Sequence, residues 1–188
     1  KVSIVKMPLN KDYNSKINIL YAGRYCNIDK NTDSFFKIAE RFKDNNNIQF
    51  YAAGFPEKSI TFSQKVNCKI LGVLSEQELF KCYENCHILI NPSTYESFGL
   101  SLLEAMMHSM TVIATNVGGV KENIENGING ILIDYDSIGQ IIDSIENEIK
   151  ILMVERDKLC EISKKAQKSI QENFANSEFE DEYNDLLN

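Results

Sequence analysis

The chain has 188 residues, 43% hydrophobic and 25% charged, the balance of a soluble globular domain long enough to bury a sizeable core. Its formal net charge of −7 excludes a general grip on nucleic acid, which needs a basic surface. No apolar run approaches the roughly 18 residues of a membrane-spanning helix.

The first residues, Lys-Val-Ser, lack an initiating Met and no signal peptide is visible, so the chain reads as a fragment in which Val2–Met7 is a short strand or linker arriving from a preceding domain. Ile17–Ala22 is a strand, ending at Gly23-Arg24-Tyr25. A helix is predicted from Thr32, its N-cap, to Lys43, with Phe35, Phe36, Ile38, Ala39 and Phe42 on its apolar face. Arg24 stands at a strand end, where open α/β sheets bind ligands. Lys30 precedes a helix start, where the dipole disfavours a cation. Spacing alone favours two solvated cations; an anion bound between them would remove the conflict and use the helix amides as well.

Ile48–Ala53 is a second strand and Val66–Leu71 a third, ending at Gly72. Ser75–Cys86 is a helix with the capping-box pattern Ser75-x-x-Glu78. His87–Ile90 is a short buried strand stopped at Asn91-Pro92-Ser93. A Leu-, Ala- and Met-rich helix opens at Phe98-Gly99-Leu100 and ends near His108; Thr111–Thr115 is the next strand and Gly118-Gly119 a tight turn, which together make a parallel βαβ unit. Ile131–Ile133 is a last strand. Asp134-Tyr135-Asp136 follows, and we read Asp136-Ser137 as a helix cap rather than a metal site. Helices are expected over Ile138–Leu152, Arg156–Phe174 and Glu178–Leu187. Alternation of strand and helix predicts a Rossmann-like α/β domain over residues 1–188: a parallel sheet of about six strands, helices on both faces, and C-terminal helices.

The five cysteines (Cys26, Cys68, Cys82, Cys86, Cys160) match no disulfide framework. Cys82 and Cys86 share a helix face, but no further pair completes a zinc site, so buried or half-buried thiols of a reducing compartment are expected. His87 and His108 read as packing and helix-end residues. Gly-x-Gly-x-x-Gly is absent, which weakens a dinucleotide oxidoreductase reading.

Two carboxylates remain. Glu96 stands just before the helix that opens at Leu100, where the dipole favours an acid. Glu104 lies at the edge of that helix's apolar stripe, among Leu100, Leu103 and Met107, where an ionised carboxylate needs a partner or a route to solvent. With their context, Pro92-Ser93, Glu96-Ser97-Phe98-Gly99-Leu100, Leu103-Glu104-Ala105-Met106, Val112-Ile113-Ala114, Gly118-Gly119, Glu122 and Gly130, they resemble the donor-site core of family 4 glycosyltransferases. These are retaining enzymes of the GT-B architecture, and Glu96 and Glu104 match their Glu-x7-Glu motif. Gly23-Arg24 with Lys30 resembles the family's Gly-Arg…Lys pair. Two departures are visible: Asn31 stands where the family has Gly after the Lys, and Ser109-Met110-Thr111-Val112 replaces Gly-x-Pro-Val.

The resemblance implies the donor-binding half of an enzyme that moves a hexose from a nucleotide diphosphate sugar to an acceptor hydroxyl, in cytoplasmic polysaccharide or glycolipid synthesis. Arg24 and Lys30 would hold the diphosphate, Glu96 would meet the sugar near the reacting carbon, and Glu104 would accept from the ribose hydroxyls. Ser97 and the amides of Phe98, Gly99 and Leu100 would line the sugar phosphate, and main-chain groups at Gly72, Val73 and Leu74 the nucleobase. No metal or other cofactor is expected. The acceptor side, with a histidine near the reacting centre, is assigned to a preceding N-terminal domain, and any peripheral membrane association to that half. A sugar-nucleotide epimerase would share the phosphate site, though the Glu-x7-Glu context argues against it. A catalytically silent sugar-nucleotide module is the remaining alternative.

Overall fold

The computed structural model describes residues 11–24, 28–55 and 67–175. The expected segments Val2–Met7 and Glu178–Leu187, together with Cys26, lie outside them. In chain order the elements are β1 (Ile17–Ala22), α1 (Thr32–Arg41), β2 (Ile48–Ala53), β3 (Cys68–Gly72), α2 (Glu76–Asn85), β4 (Ile88–Asn91), α3 (Leu100–Met107), β5 (Thr111–Thr115), α4 (Val120–Asn123), β6 (Ile131–Ile133), α5 (Ile138–Val154) and α6 (Arg156–Ala175). The six strands form one sheet in the order β3-β2-β1-β4-β5-β6, and every pairing is parallel. The strand order reverses between β1 and β4, which pair through Ile19↔Ile88 and Leu20↔Leu89. Chain connections leave that point in opposite directions and open a crevice at the carboxyl ends of the two strands.

Strands buried on both faces must be apolar throughout, and Thr-Val-Ile-Ala-Thr of β5 is buried at all five positions. One face carries an aromatic-rich core in which Tyr21, Phe35, Phe36, Phe50 and Phe55 meet Ile141, Ile145 and Ile149 of α5. Tyr21 and Phe35 approach to 5.3 Å between ring centroids and Phe36 and Phe55 to 5.4 Å, in tilted and edge-on geometries that suit ring quadrupoles. The other face packs Leu20, Leu89, Val112 and Ala114 against Tyr83 of α2, against Leu102, Leu103 and Met106 of α3, and against Ala166 and Ile170 of α6. Both faces of the sheet are therefore covered, as the alternating pattern predicts.

The capping box of α2 forms as read: the Glu78 amide donates to the Ser75 hydroxyl, and the Ser75 amide to Glu78 Oε2 at 2.9 Å. Cys68 and Cys86 are buried free thiols, pushed up to about 12 by desolvation, while Cys82 and Cys160 are half-buried. Thr32 is not the cap of α1. Asn31 holds that place with left-handed backbone, φ 45° and ψ 45°, and Thr32 is the first helical residue. Asparagine tolerates this conformation because its short polar side chain bonds locally; here the Ser34 hydroxyl donates to Asn31 Oδ1 at 2.9 Å. A 3-10 turn at Ile28–Lys30 and the one-turn α4 were not foreseen; both are too short to show a periodicity.

The end of α3 forms a Schellman motif without its usual glycine. The Ser109 amide donates to the Met106 carbonyl and the Met110 amide to the Ala105 carbonyl, both at 3.0 Å. Ser109 sits at φ 53°, and its hydroxyl is buried with no hydrogen-bond partner among the described residues. Ser109→Gly should therefore raise stability by about 1–2 kcal/mol, the cost of a left-handed L-residue; an unchanged midpoint in urea unfolding would refute this.

The two histidines are buried. The Asn18 amide donates to His87 Nδ1 at 3.0 Å, while His87 Nε2 faces the Asp12 carbonyl at 3.2 Å, an arrangement that fits a neutral ring with its proton on Nε2. Desolvation, aided by the Lys11 charge, lowers His87 from its ordinary 6.5 to about 4, and desolvation lowers His108 as well. The unfolded chain thus takes up the protons first. The stability from neutral His87 is complete above about pH 6.5 and is lost as pH falls toward 4. The melting temperature should decline steadily from pH 6.5 to 5, with a shallower slope in His87→Gln.

Candidate functional site

A cavity of about 490 Å³ occupies the crevice at the carboxyl ends of the strands. Ala22, Gly23 and Arg24 enter it from β1, Ala53 and Gly54 from β2, and Val73 and Leu74 from the loop before α2. Lys30 reaches it from the turn before α1; Leu79 and Tyr83 from α2; Glu96 and Ser97 from the loop after β4; and Phe98, Gly99, Leu100, Ser101 and Glu104 from the start and body of α3. Every residue that the resemblance assigned to the donor site lines this cavity except Gly72. With φ +79°, Gly72 offers its carbonyl to the Gly54 amide at 2.8 Å, so it fixes the β2 and β3 ends rather than forming the wall.

The loop carrying Glu96 is tied to four neighbours. Asn91 Oδ1 accepts from the Ser93 amide at 3.1 Å and from the Ser93 hydroxyl. The Thr115 hydroxyl of β5 donates to the Ser93 carbonyl. The Thr94 amide donates to the Asp29 carbonyl at 2.7 Å, and Asn31 Nδ2 to the Pro92 carbonyl at 3.1 Å, joining the loop to the entry of α1. On the far side, the Gly119 amide donates to the Glu96 carbonyl at 3.1 Å. A Cβ on Gly118 would stand 1.9 Å from that carbonyl oxygen, and one on Gly119 2.2 Å from the Ser97 carbonyl oxygen. Only Gly-Gly lets the β5–α4 turn lie this close.

Glu96 is buried, and Lys30 Nζ forms an ion pair with its Oε2. Asn91 Nδ2 approaches the same oxygen at 3.4 Å. The anion that Lys30 needed at a helix start is thus supplied from within the chain. Arg24 is exposed at the cavity mouth. Glu104 is half-buried and accepts from the Tyr83 hydroxyl at 3.0 Å, which answers the need for a partner at the stripe edge. α3 begins with Gly99 in left-handed conformation at φ 78° and directs its amino end at the cavity, an arrangement suited to an anion.

Away from the cavity, Ser137 caps α5 by accepting from the Gln140 amide at 3.2 Å, and Asp134 accepts from Asn116 Nδ2 at 3.1 Å. Among the described residues, no cluster of three or more His, Cys, Asp or Glu side chains is arranged to hold a metal ion. Tyr83, Asn91 and Leu79 were missed as site residues. The contacts of Tyr83 and Leu79 cross between elements and leave no spacing signal; Asn91 meets Ser93 and Glu96 of its own loop, but stood out in the sequence only as a strand stop.

Comparison with known proteins places this geometry. The family described as glycosyl transferases group 1 matches residues 16–150. An uncharacterised 41.2 kDa protein in the cps region of Klebsiella pneumoniae is 32% identical over 136 residues, which cover 71% of this chain and 37% of that protein. S. aureus TarM, solved as a mutant with Fondaparinux, alpha-GlcNAc-glycerol and UDP, superposes with a TM-score of 0.78 at 23% identity, over 100% of this chain and 38% of that one. The C-terminal domain of LpcC, a glycosyl transferase group 1 family protein of Francisella tularensis, superposes with a TM-score of 0.72 at 22% identity, over 85% and 87%. The chain thus spans well under half the length of the Klebsiella and TarM chains.

The ion pair gives a test of the site's electrostatics. The side chains of Lys30 and Glu96 are 23% and 11% exposed, so the pair is neither fully solvated nor fully dry. Lys30→Met should cost about 1–3 kcal/mol of unfolding free energy, between the exposed and buried limits. In the Glu96→Gln background the same substitution should cost distinctly less, as a double-mutant cycle in urea would measure. Equal costs in both backgrounds would show that the pair is not coupled.

Proposed function

The chain belongs to the glycosyl transferases group 1 family, and from that footing we propose that it is the donor-binding half of a retaining hexosyltransferase of family 4 type, working in polysaccharide or glycolipid synthesis in the cytoplasm. The observation that carries this reading is the convergence of Arg24, Lys30, Glu96, Glu104 and the start of α3 on one cavity at the switch point of the sheet. A nucleotide diphosphate sugar fits that arrangement by its chemistry. Its base lies along Val73 and Leu74, with the main chain near Gly72 within reach. Its ribose hydroxyls donate to Glu104. Its diphosphate takes Arg24 and Lys30 together with the amides of Phe98, Gly99 and Leu100. Its sugar turns toward Glu96 and Ser97.

The Lys30–Glu96 pair adds a sequence of events. An arriving diphosphate competes for the Lys30 cation and frees Glu96 to accept from the sugar hydroxyls. As the bond from the anomeric carbon to the diphosphate breaks, Arg24 and Lys30 face the charge that develops on the leaving oxygens. The acceptor oxygen bonds to the anomeric carbon on the face that the diphosphate leaves, and the acceptor's proton passes to a leaving phosphate oxygen. On this reading no metal is needed to neutralise the leaving group, because two cations and a helix amino end serve it. The acceptor is held by another domain of the same protein, and transfer requires both substrates together.

The two carboxylates separate experimentally. In the full-length protein, Glu104→Gln should weaken binding of free UDP by about 1.5–3 kcal/mol, the scale of a hydrogen bond to a charged group. Glu96→Gln should leave UDP affinity unchanged or tighten it, while lowering kcat, because its contact is made at the reacting end. Calorimetry with UDP and steady-state transfer assays measure both. If Glu96→Gln loses nucleotide affinity and Glu104→Gln keeps it, the assignment is overturned.

A further inference from the structure

We propose that Tyr83 is a positioning residue for the donor ribose: it sets the Glu104 carboxylate in place and thereby the preference for a ribonucleotide over a nucleotide lacking ribose hydroxyls. The inference rests on the reading that Glu104 meets the ribose.

Tyr83 is the buried residue of α2, with no exposed surface, and its ring lies against Phe80 and His108 at centroid distances of 6.4 and 5.5 Å. A phenylalanine would fill the same space, so packing does not call for the hydroxyl. That hydroxyl donates to Glu104 Oε2 at 3.0 Å, across 21 residues of sequence and between two helices.

Both ends of Tyr83 are themselves held. Lys11 Nζ donates to the Tyr83 carbonyl at 2.7 Å and also reaches the Cys86 carbonyl, fixing the last turn of α2. His108, the C-cap of α3, faces the Glu104 carbonyl through Nδ1 at 2.7 Å, while its ring rests on Tyr83. The hydroxyl is therefore a fixed point. Glu104 reaches it through three side-chain torsions, and the hydrogen bond selects among their rotamers the one that meets the hydroxyl. Leu79, one turn earlier on α2, lines the same cavity beside Val73 and Leu74. One helix thus borders the nucleobase end and holds the carboxylate for the ribose.

The experiment measures, in the intact protein, the affinities of UDP and of 2′,3′-dideoxy-UDP for wild type, Tyr83→Phe, Glu104→Gln and the double variant, with melting temperatures alongside. Tyr83→Phe should weaken UDP about five- to tenfold and leave the dideoxy nucleotide unchanged. It should add nothing in the Glu104→Gln background, and it should raise KM for the donor with kcat preserved. If Glu104→Gln has no effect on UDP, the ribose reading itself fails. If Glu104→Gln weakens UDP while Tyr83→Phe binds as wild type, the reading stands and this inference is overturned. Equal loss for both nucleotides, or additive losses in the double variant, also overturns it. Should Tyr83→Phe fail to fold, Tyr83→Met, which also removes the hydroxyl, takes its place with the same expected outcomes: a weakened UDP and an unchanged dideoxy nucleotide support the proposal, and UDP bound as by wild type overturns it.

Discussion

A buried carboxylate must be answered by a cation or by donors, and the pairing of Glu96 with Lys30 is the interaction on which the arrangement of this cavity depends. The two residues stand 66 positions apart and come from opposite sides of the switch point, one before α1 and one before α3. Their meeting requires that β1 and β4 be neighbours, that the loop after β4 turn back toward α1, and that the turn after β5 leave room for it. Each condition has a visible cause: the Ile19↔Ile88 register, the Thr94–Asp29 and Asn31–Pro92 hydrogen bonds, and the two glycines whose missing side chains admit the Glu96 and Ser97 carbonyls.

Lys30 carries a second charge argument. A cation ahead of α1 opposes the helix dipole, and the pair with Glu96 offsets this. In the proposed function the same logic would make the place receptive to the donor, whose diphosphate carries more charge and more acceptor oxygens than Glu96. The pair thus keeps the cation in position while the cavity is empty.

Much of this was legible in the sequence, for physical reasons. β1, β2, β5 and β6 occur at the residues read for them, because a parallel strand buried on both faces is a short apolar run bounded by turn formers. The convergence of Arg24, Lys30, Glu96 and Glu104 was legible through the resemblance alone, since spacing favoured two solvated cations at Arg24 and Lys30. What was not legible is whatever depends on a contact between elements. Glu104 called for a partner, but nothing in its neighbourhood names Tyr83. Thr32 resembled an N-cap because threonine commonly fills that place, but Asn31 takes it, where the tight entry from Lys30 demands a left-handed residue. Ser109 stands where the family has glycine, yet the Schellman hydrogen bonds form with the serine held at positive φ.

The cavity's two halves are built differently, and the difference fits the tasks proposed for them. On the side of Leu79 and Tyr83, the wall is helix and buried ring, and Glu104 projects from the body of α3. Precision of that kind suits groups that bind and do not react. On the side of Arg24, Lys30 and Glu96, the residues stand on loops and a 3-10 turn, joined by an ion pair that can exchange partners. The proposed reacting end must accommodate charge that moves during transfer, and a pair that opened on binding would do so without disturbing the sheet beneath. The loop is nonetheless anchored at Ser93, Thr94 and Glu96 by backbone hydrogen bonds, so the freedom is confined to the side chains of Lys30 and Glu96.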